Sequence, residues 1–208
     1  MKNNLAWALR LTVLSLATFV AQAVYADSPA LRDLKIHIAS VQQVLVDPKL
    51  ADPQKRLQRR HLALTVVNQL FDFQEMSRRA LGANARRYSD RLTEFTPLFI
   101  ALLEQAYMGK LEENGNAKIQ YIKEIVDDQD VEVETKTQLK DGSEYSVTYK
   151  LKFSPTGWRA HDVVVEGVSL VNNYRSQFDR FLSKKSFDEL LQVLREKEDK
   201  FSLSPRDS

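Results

Sequence analysis

Residues 144–182 read EYSVTYKLKFSPTGWRAHDVVVEGVSLVNNYRSQFDRFL, and this stretch decides the fold. In its first third, every second side chain is large and apolar, and the side chains between them are polar. The apolar members are Tyr145, Val147, Tyr149, Leu151 and Phe153. A period of two predicts a strand with one buried and one solvated face. A turn at residues 154–157 leads into a second strand, residues 158–166, and then into a helix.

The same alternation precedes this stretch. Apolar positions at Ile119 and Tyr121 predict one strand, and residues 131–139, VEVETKTQL, predict another. Asp141-Gly142 is a strong hairpin signal between the second of these strands and residue 144. The consecutive strands therefore predict an antiparallel sheet with one solvated face.

Helical patterns flank the sheet on both sides along the chain. Upstream, the pattern predicts helices after Ser28-Pro29 and Asp52-Pro53, a short helix over residues 71–81 ended by Gly82, and a longer helix capped by Ser89. Downstream, Ser169 or a neighbour begins one helix, and Ser186 with Glu189 forms a capping box for the last. This order predicts an α+β fold: a curved antiparallel sheet of about four strands, covered on one face by N- and C-terminal helices.

The N-terminus has the pattern of a secretory signal peptide. Lys2 and Arg10 flank its beginning, residues 11–20 are mainly apolar, and Val24-Tyr25-Ala26 places small residues before a cleavage site. We expect cleavage after Ala26, with Ala23 as the alternative site. A membrane anchor is the other interpretation, but the apolar run is shorter than the roughly 20 residues of a span. The prediction is a signal peptide at 1–26, one domain at 27–198 and a frayed polar tail at 199–208.

Charge and cysteine content exclude some classes of protein. The chain has 30 basic and 28 acidic side chains, and loss of Lys2 and Arg10 with the signal peptide leaves equal numbers. A neutral chain lacks the positive excess that nucleic-acid binding requires. The absence of cysteine excludes disulfides and an acylated lipoprotein anchor. We therefore expect an exported, soluble protein held together by its core.

No residue pattern typical of an enzyme is present. His37, His61 and His161 lie on different predicted elements without metal-ligand spacing. His161 and Asp162 are adjacent in a strand, and alternation is expected to point them to opposite faces. The six glycines are too dispersed for a phosphate loop or a nucleophile elbow. The prediction is a protein without catalytic residues or metal ligands.

Both layers present many large apolar side chains to the interior. One interpretation is an ordinary packed core, and the other is a core hollowed to hold a ligand. Composition alone does not distinguish them.

Four segments carry a resemblance to a known family. Residues 157–182, GWRAHDVVVEGVSLVNNYRSQFDRFL, followed by SFDELLQVLREK at 186–197, resemble the C-terminal signature of the MlaC family, also called the toluene-tolerance auxiliary proteins. FDFQEMSRRALG at 71–82 and FTPLFIALLEQAY at 95–107 resemble its first block and its central helix. The likeness runs from about Leu31 to Lys197, and Tyr88 and Pro97 depart from the family pattern.

The resemblance implies a cavity between the curved sheet and the helices that takes lipid acyl chains, with the head group at its mouth. On this basis we expect a sheet wall, a helical wall and a side wall. The expected cavity residues are Tyr145, Val147, Tyr149, Leu151, Val163 and Val165 on the sheet, Phe95, Phe99 and Leu102 on the central helix, and Phe71 and Phe73 at the side. Phospholipid would be cargo, and no cofactor is expected.

The resemblance also implies a periplasmic carrier that moves lipid between an outer-membrane lipoprotein–porin complex and an inner-membrane ABC transporter with an MCE-domain subunit. A hopanoid-type lipid is the alternative cargo. Two other classes remain open: a small enzyme using Asp162 or Glu166 in the pocket, and a helper that binds proteins through an exposed apolar patch. Arg78, Arg79, Arg86 and Arg87 are candidates for head-group or partner contacts, or are solvated.

Overall fold

A computed structural model describes residues 27–203, with side chains described as far as Asp199. The predicted signal peptide, residues 1–26, lies outside this range. Seven α-helices and five strands follow one another in it. They are α1 (Pro29–Leu45), α2 (Arg56–Leu70), α3 (Phe73–Leu81), α4 (Asn84–Arg87), α5 (Leu92–Glu113), β1 (Lys118–Asp127), β2 (Asp130–Gln138), β3 (Glu144–Ser154), β4 (Gly157–Val165), β5 (Val168–Ser169), α6 (Leu170–Leu182) and α7 (Phe187–Leu203).

The strands form one antiparallel sheet in the order β1-β2-β3-β4-β5, which confirms the predicted α+β class. The Asp141-Gly142 hairpin joins β2 to β3, with Gly142 at a φ of 86°. The structure adds β5 to the four predicted strands. Glu166 and Gly167 both adopt positive φ, and this tight turn folds Val168 and Ser169 back against the end of β4. Helix α6 begins directly after β5.

Helix boundaries differ from the sequence prediction at several ends. The Asp-Pro pairs begin single 3₁₀ turns, Pro48–Leu50 and Pro53–Lys55, and α2 begins only at Arg56. Another 3₁₀ turn, Ser89–Arg91, precedes α5, which then runs through Pro97. At the other end α7 continues to Leu203, beyond the predicted domain end at 198, because its charged last turns consist largely of good helix formers.

The interior divides into two apolar clusters. The first, which we call the helical core, joins α3, α5, α6 and α7 around Phe95, Phe99, Tyr174, Phe178 and Phe187. The second, the sheet core, packs α1 and the end of α2 against the inner face of the sheet. Its fully buried members include Leu34, Val133 and Leu151. Within residues 27–203, no helix combines the length and apolar character that a membrane crossing requires.

Candidate functional site: an apolar cavity between the sheet and the helices

A cavity of about 350 Å³ lies beside the sheet core, between the inner face of the sheet and helices α1, α2, α3 and α5. Its lining is almost entirely aliphatic and aromatic. The main helical contributors are Ile38, Val41 and Leu45 of α1, Leu64 and Val67 of α2, Met76 of α3, and Ile100, Leu103 and Tyr107 of α5. This lining therefore suits hydrocarbon better than a polar ligand.

The sheet wall follows from alternation on two paired strands. Val147 and Tyr149 of β3 point to the same face, and they lie opposite Val165 and Val163 of β4 in the register. Three of these four side chains are valine, which is shorter than most of the other apolar residues of the lining. At these three positions the sheet leaves open volume that larger side chains would occupy.

The side wall is held in place by the junction between α2 and α3. The Asp72 N–H donates to the carbonyl of Ala160 at 2.9 Å, and Phe71 forms a parallel bridge with the same residue of β4. The Asp72 carboxylate also accepts the Glu75 N–H at 3.0 Å and caps α3. This junction brings the rings of Phe71 and Phe73 to 5.6 Å from each other at the cavity.

An ion pair joins α2 to α5, two helices that line the cavity. Arg60 of α2 lies 3.0 Å from Glu112 of α5, and both side chains are only 8% exposed. Arg56 reaches the same carboxylate at 3.4 Å. Loss of one partner would leave a buried charge, so this pair opposes separation of α2 from α5.

Polar groups around the cavity are few. Gln42, Asn68, Glu104 and Thr137 are among them. The phenol of Tyr149 also lies there, and its burial, followed by the nearby Tyr121, raises its pKa, so it stays neutral at physiological pH. Among the described residues, no cluster of three or more His, Asp or Glu side chains could hold a metal ion.

Six of the residues expected at a cavity do line this one. They are Phe71, Phe73, Val147, Tyr149, Val163 and Val165. Their contact with lipid stays a prediction.

The structure does not place Phe95, Phe99 and Leu102 at the cavity. Phe95 and Phe99 are fully buried in the helical core, and Leu102 packs against the same core. Helix α5 is apolar on nearly every side because it lies between two layers, so periodicity did not indicate which side faces the sheet. The helical wall is instead formed by Ile100, Leu103 and Tyr107.

Two expected sheet residues also lie elsewhere. Leu151 has the predicted orientation but is fully buried in the sheet core, where α1 covers it. Tyr145 is 40% exposed near the start of β3 and does not line the cavity. The wall contributions of α1 and α2 were missed, although the apolar stripe of α1, including Ile38 and Val41, was a usable signal.

The acids considered for an enzyme do not line the cavity. Asp162 accepts hydrogen bonds from Ser169 Oγ at 2.6 Å and from the Val171 N–H at 3.0 Å, which fastens the start of α6 to β4. Glu166 is exposed and accepts the Ser146 N–H. Both carboxylates therefore have structural hydrogen-bonding roles outside the apolar cavity.

The expected opposite orientation of His161 and Asp162 is wrong. The β3–β4 register shifts between Lys150, which faces Asp162, and Leu151, which faces Ala160. This bulge leaves His161 as an extra residue, and extra residues interrupt the alternation of a strand. Both side chains consequently line a second, polar cavity.

These features define an α+β domain with an apolar cavity between a curved antiparallel sheet and a helical cover. The family model described as "MlaC protein" matches residues 37–196, and the chain belongs to that family. A solved structure, the phospholipid-binding protein from Ralstonia solanacearum in complex with a phospholipid, superposes with a TM-score of 0.72 at 25% identity. The alignment covers 84% of this chain and 99% of the other. None of the curated proteins compared with the chain matches it.

Proposed function

We propose that this protein is a periplasmic lipid carrier that holds the acyl chains of a phospholipid in the apolar cavity. The observation that carries the proposal is the position of this cavity in a fold whose R. solanacearum counterpart binds a phospholipid. Because few polar side chains line it, the cavity suits hydrocarbon better than a polar substrate. Carriage also requires no catalytic group or metal.

The energy of exposing acyl chains explains why a carrier must enclose them. Each CH₂ group exposed to water costs about 0.8 kcal/mol, so two chains of about fifteen CH₂ groups cost roughly 20 kcal/mol or more. Transfer from a bilayer into an apolar cavity exchanges one apolar environment for another. The net free energy of loading can then be small, and the carrier itself needs no ATP.

Export through a signal peptide at 1–26 would place the carrier domain, residues 27–198, in the periplasm. There we propose that it shuttles lipid between an outer-membrane lipoprotein–porin complex and an inner-membrane ABC transporter with an MCE-domain subunit. Equal numbers of acidic and basic side chains after signal removal support this role, because strong attraction to anionic lipid would retain a shuttle at one membrane.

The test fills the cavity and counts bound lipid. Val163→Trp places a large ring in the sheet wall, whereas Val126→Trp makes the same change at a residue of β1 that is 60% exposed. Native mass spectrometry of the mature protein from cells, with extraction of bound material, should find about one diacyl phospholipid per chain for the unchanged protein and for Val126→Trp. Val163→Trp should be largely empty while its circular dichroism stays unchanged.

Two outcomes would overturn the proposal, and a third would change only the cargo. Full lipid occupancy in Val163→Trp would mean that lipid lies elsewhere, and a protein that stays empty after incubation with liposomes would favour a fully packed resting core. Extraction of a hopanoid-type lipid in place of phospholipid would keep the carrier and correct its cargo.

A further inference from the structure

A second cavity, of about 820 Å³, shares no lining residue with the apolar one. On β3, Tyr149 lines the apolar cavity and the next residue, Lys150, lines the second. On β4, Val163 lines the first cavity, and Asp162 lines the second. A ligand in this second cavity is therefore separate from acyl chains in the first.

The charge of the second cavity is predominantly positive. Its lining contains five cationic side chains, Arg78, Arg79, Arg86, Lys150 and Arg175, and one carboxylate, Asp162. The Asp162 carboxylate already accepts three hydrogen bonds, from the N–H groups of Val163 and Val171 and from Ser169 Oγ. Its oxygens are committed to the start of α6, and its single negative charge offsets only one of the five cations.

Three of these cations form close ion pairs with carboxylates, and the other two do not. Glu75 accepts from Arg78 and Arg79 at 2.7 and 2.6 Å, and Lys150 pairs with Glu132 at 2.7 Å. Arg175 has only a long contact, 3.8 Å, to Asp179. Arg86 is exposed and has no ion pair with any residue of the described range. An anion could bind the free donors of these arginines without breaking a strong pair.

The position of Arg175 depends on a glycine in the wall. A Cβ built on Gly82 would lie 2.5 Å from Arg175 Nε, and Gly82 adopts a φ of +57° that other residues rarely tolerate. The guanidinium thus lies directly over the backbone that joins α3 to α4. This turn also positions Arg86, so one backbone feature places two cations at the same cavity.

A buried polar atom without a partner lies at the same place. His161 is 5% exposed, and its Nδ1 has no hydrogen-bond partner among the described residues. Its Nε2 lies 3.7 Å from Asp130 Oδ1. Buried polar atoms are normally satisfied, so an orphan in a cavity wall indicates a ligand or water that completes the site.

We propose that this cavity binds a phosphate-bearing anion, independently of the lipid in the apolar cavity. Planar guanidinium groups match phosphate oxygens in paired, charge-assisted hydrogen bonds. A hydrogen phosphate also carries both acceptor oxygens and an O–H donor, either of which can satisfy a ring nitrogen. The anion comes either from a dissolved phosphate or from the exposed head group of a membrane lipid.

Neighbouring arginines of α4 supply a matched pair for the test. Arg86 lines the cavity, whereas Arg87 lies over the ring of Tyr88, 5.3 Å from its centre, and does not. Both side chains are exposed, so Arg86→Gln and Arg87→Gln should fold equally well. Isothermal titration with inorganic phosphate at constant ionic strength measures the affinity, and native mass spectrometry measures the bound lipid.

The unchanged protein should bind about one phosphate saturably. Arg86→Gln should weaken binding about three- to tenfold, the range for one charge-assisted hydrogen bond at a partly exposed site, and Arg175→Gln should do at least as much. Arg87→Gln should stay within about twofold. All variants should keep their bound lipid, which separates this site from the proposed carrier function.

A second arm identifies the source of the anion. Flotation with vesicles of phosphatidylcholine containing phosphatidic acid, compared with phosphatidylcholine alone, should reveal binding that depends on Arg86 if the source is a head group. Phosphate binding in solution without vesicle binding assigns a dissolved anion. Absence of saturable phosphate binding, or equal losses in Arg86→Gln and Arg87→Gln, would overturn the proposal.

Discussion

The helical core and the apolar cavity contain the same kinds of side chain but are packed in opposite ways. In the helical core, the ring of Phe95 lies 5.7 Å from Phe99, 5.4 Å from Phe178 and 6.1 Å from Phe187, and both phenylalanines of α5 are fully buried. At the cavity, the rings of Phe71 and Phe73 touch each other but face open volume. The helical core is filled, whereas the region beside the sheet core contains open volume.

The difference arises from what faces the large side chains. In the helical core, aromatic residues from α5, α6 and α7 meet from three sides and interlock. At the cavity, the opposing surface is a curved sheet on which valines and Thr137 lie among the larger Ile119, Leu139 and Tyr149. Apolar content alone therefore does not make a packed core, because packing also requires complementary size across the interface.

Truncation of one phenylalanine in each region tests this contrast. Of the predicted changes in the free energy of unfolding, the one in the helical core should be the largest. Phe99→Ala should lower the free energy of unfolding by about 3–5 kcal/mol, because it opens a cavity in a close-packed cluster. Phe73→Ala should cost roughly half of that or less, since its ring already borders open space and loses fewer contacts. Urea denaturation of both variants measures the difference, and equal losses would mean that the two regions are packed alike.

The link between the two regions can be broken at Asp162. This buried carboxylate fastens α6, a helix of the helical core, to β4, a strand of the cavity wall. Asp162→Ala should cost about 2–3 kcal/mol, since it leaves the Val171 N–H and the Ser169 hydroxyl without their acceptor. Glu166→Gln, at an exposed acid four residues away in the chain, is the control and should stay within about 0.5 kcal/mol.

Differential scanning calorimetry of Asp162→Ala should also reveal whether the halves unfold together. A single transition at lower temperature would mean that they remain coupled through the rest of their interface. Two separated transitions would identify Asp162 as the main link. An unchanged melting temperature would contradict the structural role assigned to this carboxylate.

Lowering the pH should destabilise the sheet and the helices packed on it more than the helical core. Of the three predicted changes in the free energy of unfolding, this one should be the smallest. Burial, with a further contribution from the Arg79 charge, lowers the pKa of His161, and burial also lowers the pKa of His37 on α1. The folded protein then binds fewer protons than the unfolded chain just below pH 6.5. Stability is fully present above that pH and falls as the pH decreases towards the folded pKa values, by at most about 1.4 kcal/mol per pH unit for each histidine.

Urea midpoints at pH 7.0, 6.0 and 5.5 for the unchanged protein and for His161→Gln measure this effect. The variant should lose less stability than the unchanged protein over the interval. The helical core contains no histidine among its buried residues in the described range, so hydrogen exchange should place the acid-induced opening on the sheet side. A pH dependence identical in both proteins would mean that His161 does not contribute to the loss of stability in acid.

Much of the architecture was predictable because it depends on local pattern. Alternation located β3, the Asp141-Gly142 pair located the hairpin, and Ser169 and Ser186 marked helix starts that the structure shows as caps. The MlaC family resemblance was confirmed by the family model. The site was predicted only in part. The two side-wall residues and four of the six sheet residues line the cavity, whereas Tyr145, Leu151 and the three residues of α5 do not.

The sequence by itself determined most of the elements, their order, and the buried face of β2 and β3, since backbone periodicity and turn chemistry act over a few residues. Only the tertiary structure decided which side of α5 faces the sheet, because a helix that is apolar on nearly every side gives little preference. It also decided where the interior contains open volume. The bulge at His161, which directs two neighbouring side chains into the same cavity, is another feature that only the tertiary structure shows. These outcomes depend on how surfaces far apart in the chain fit together, which no local pattern encodes.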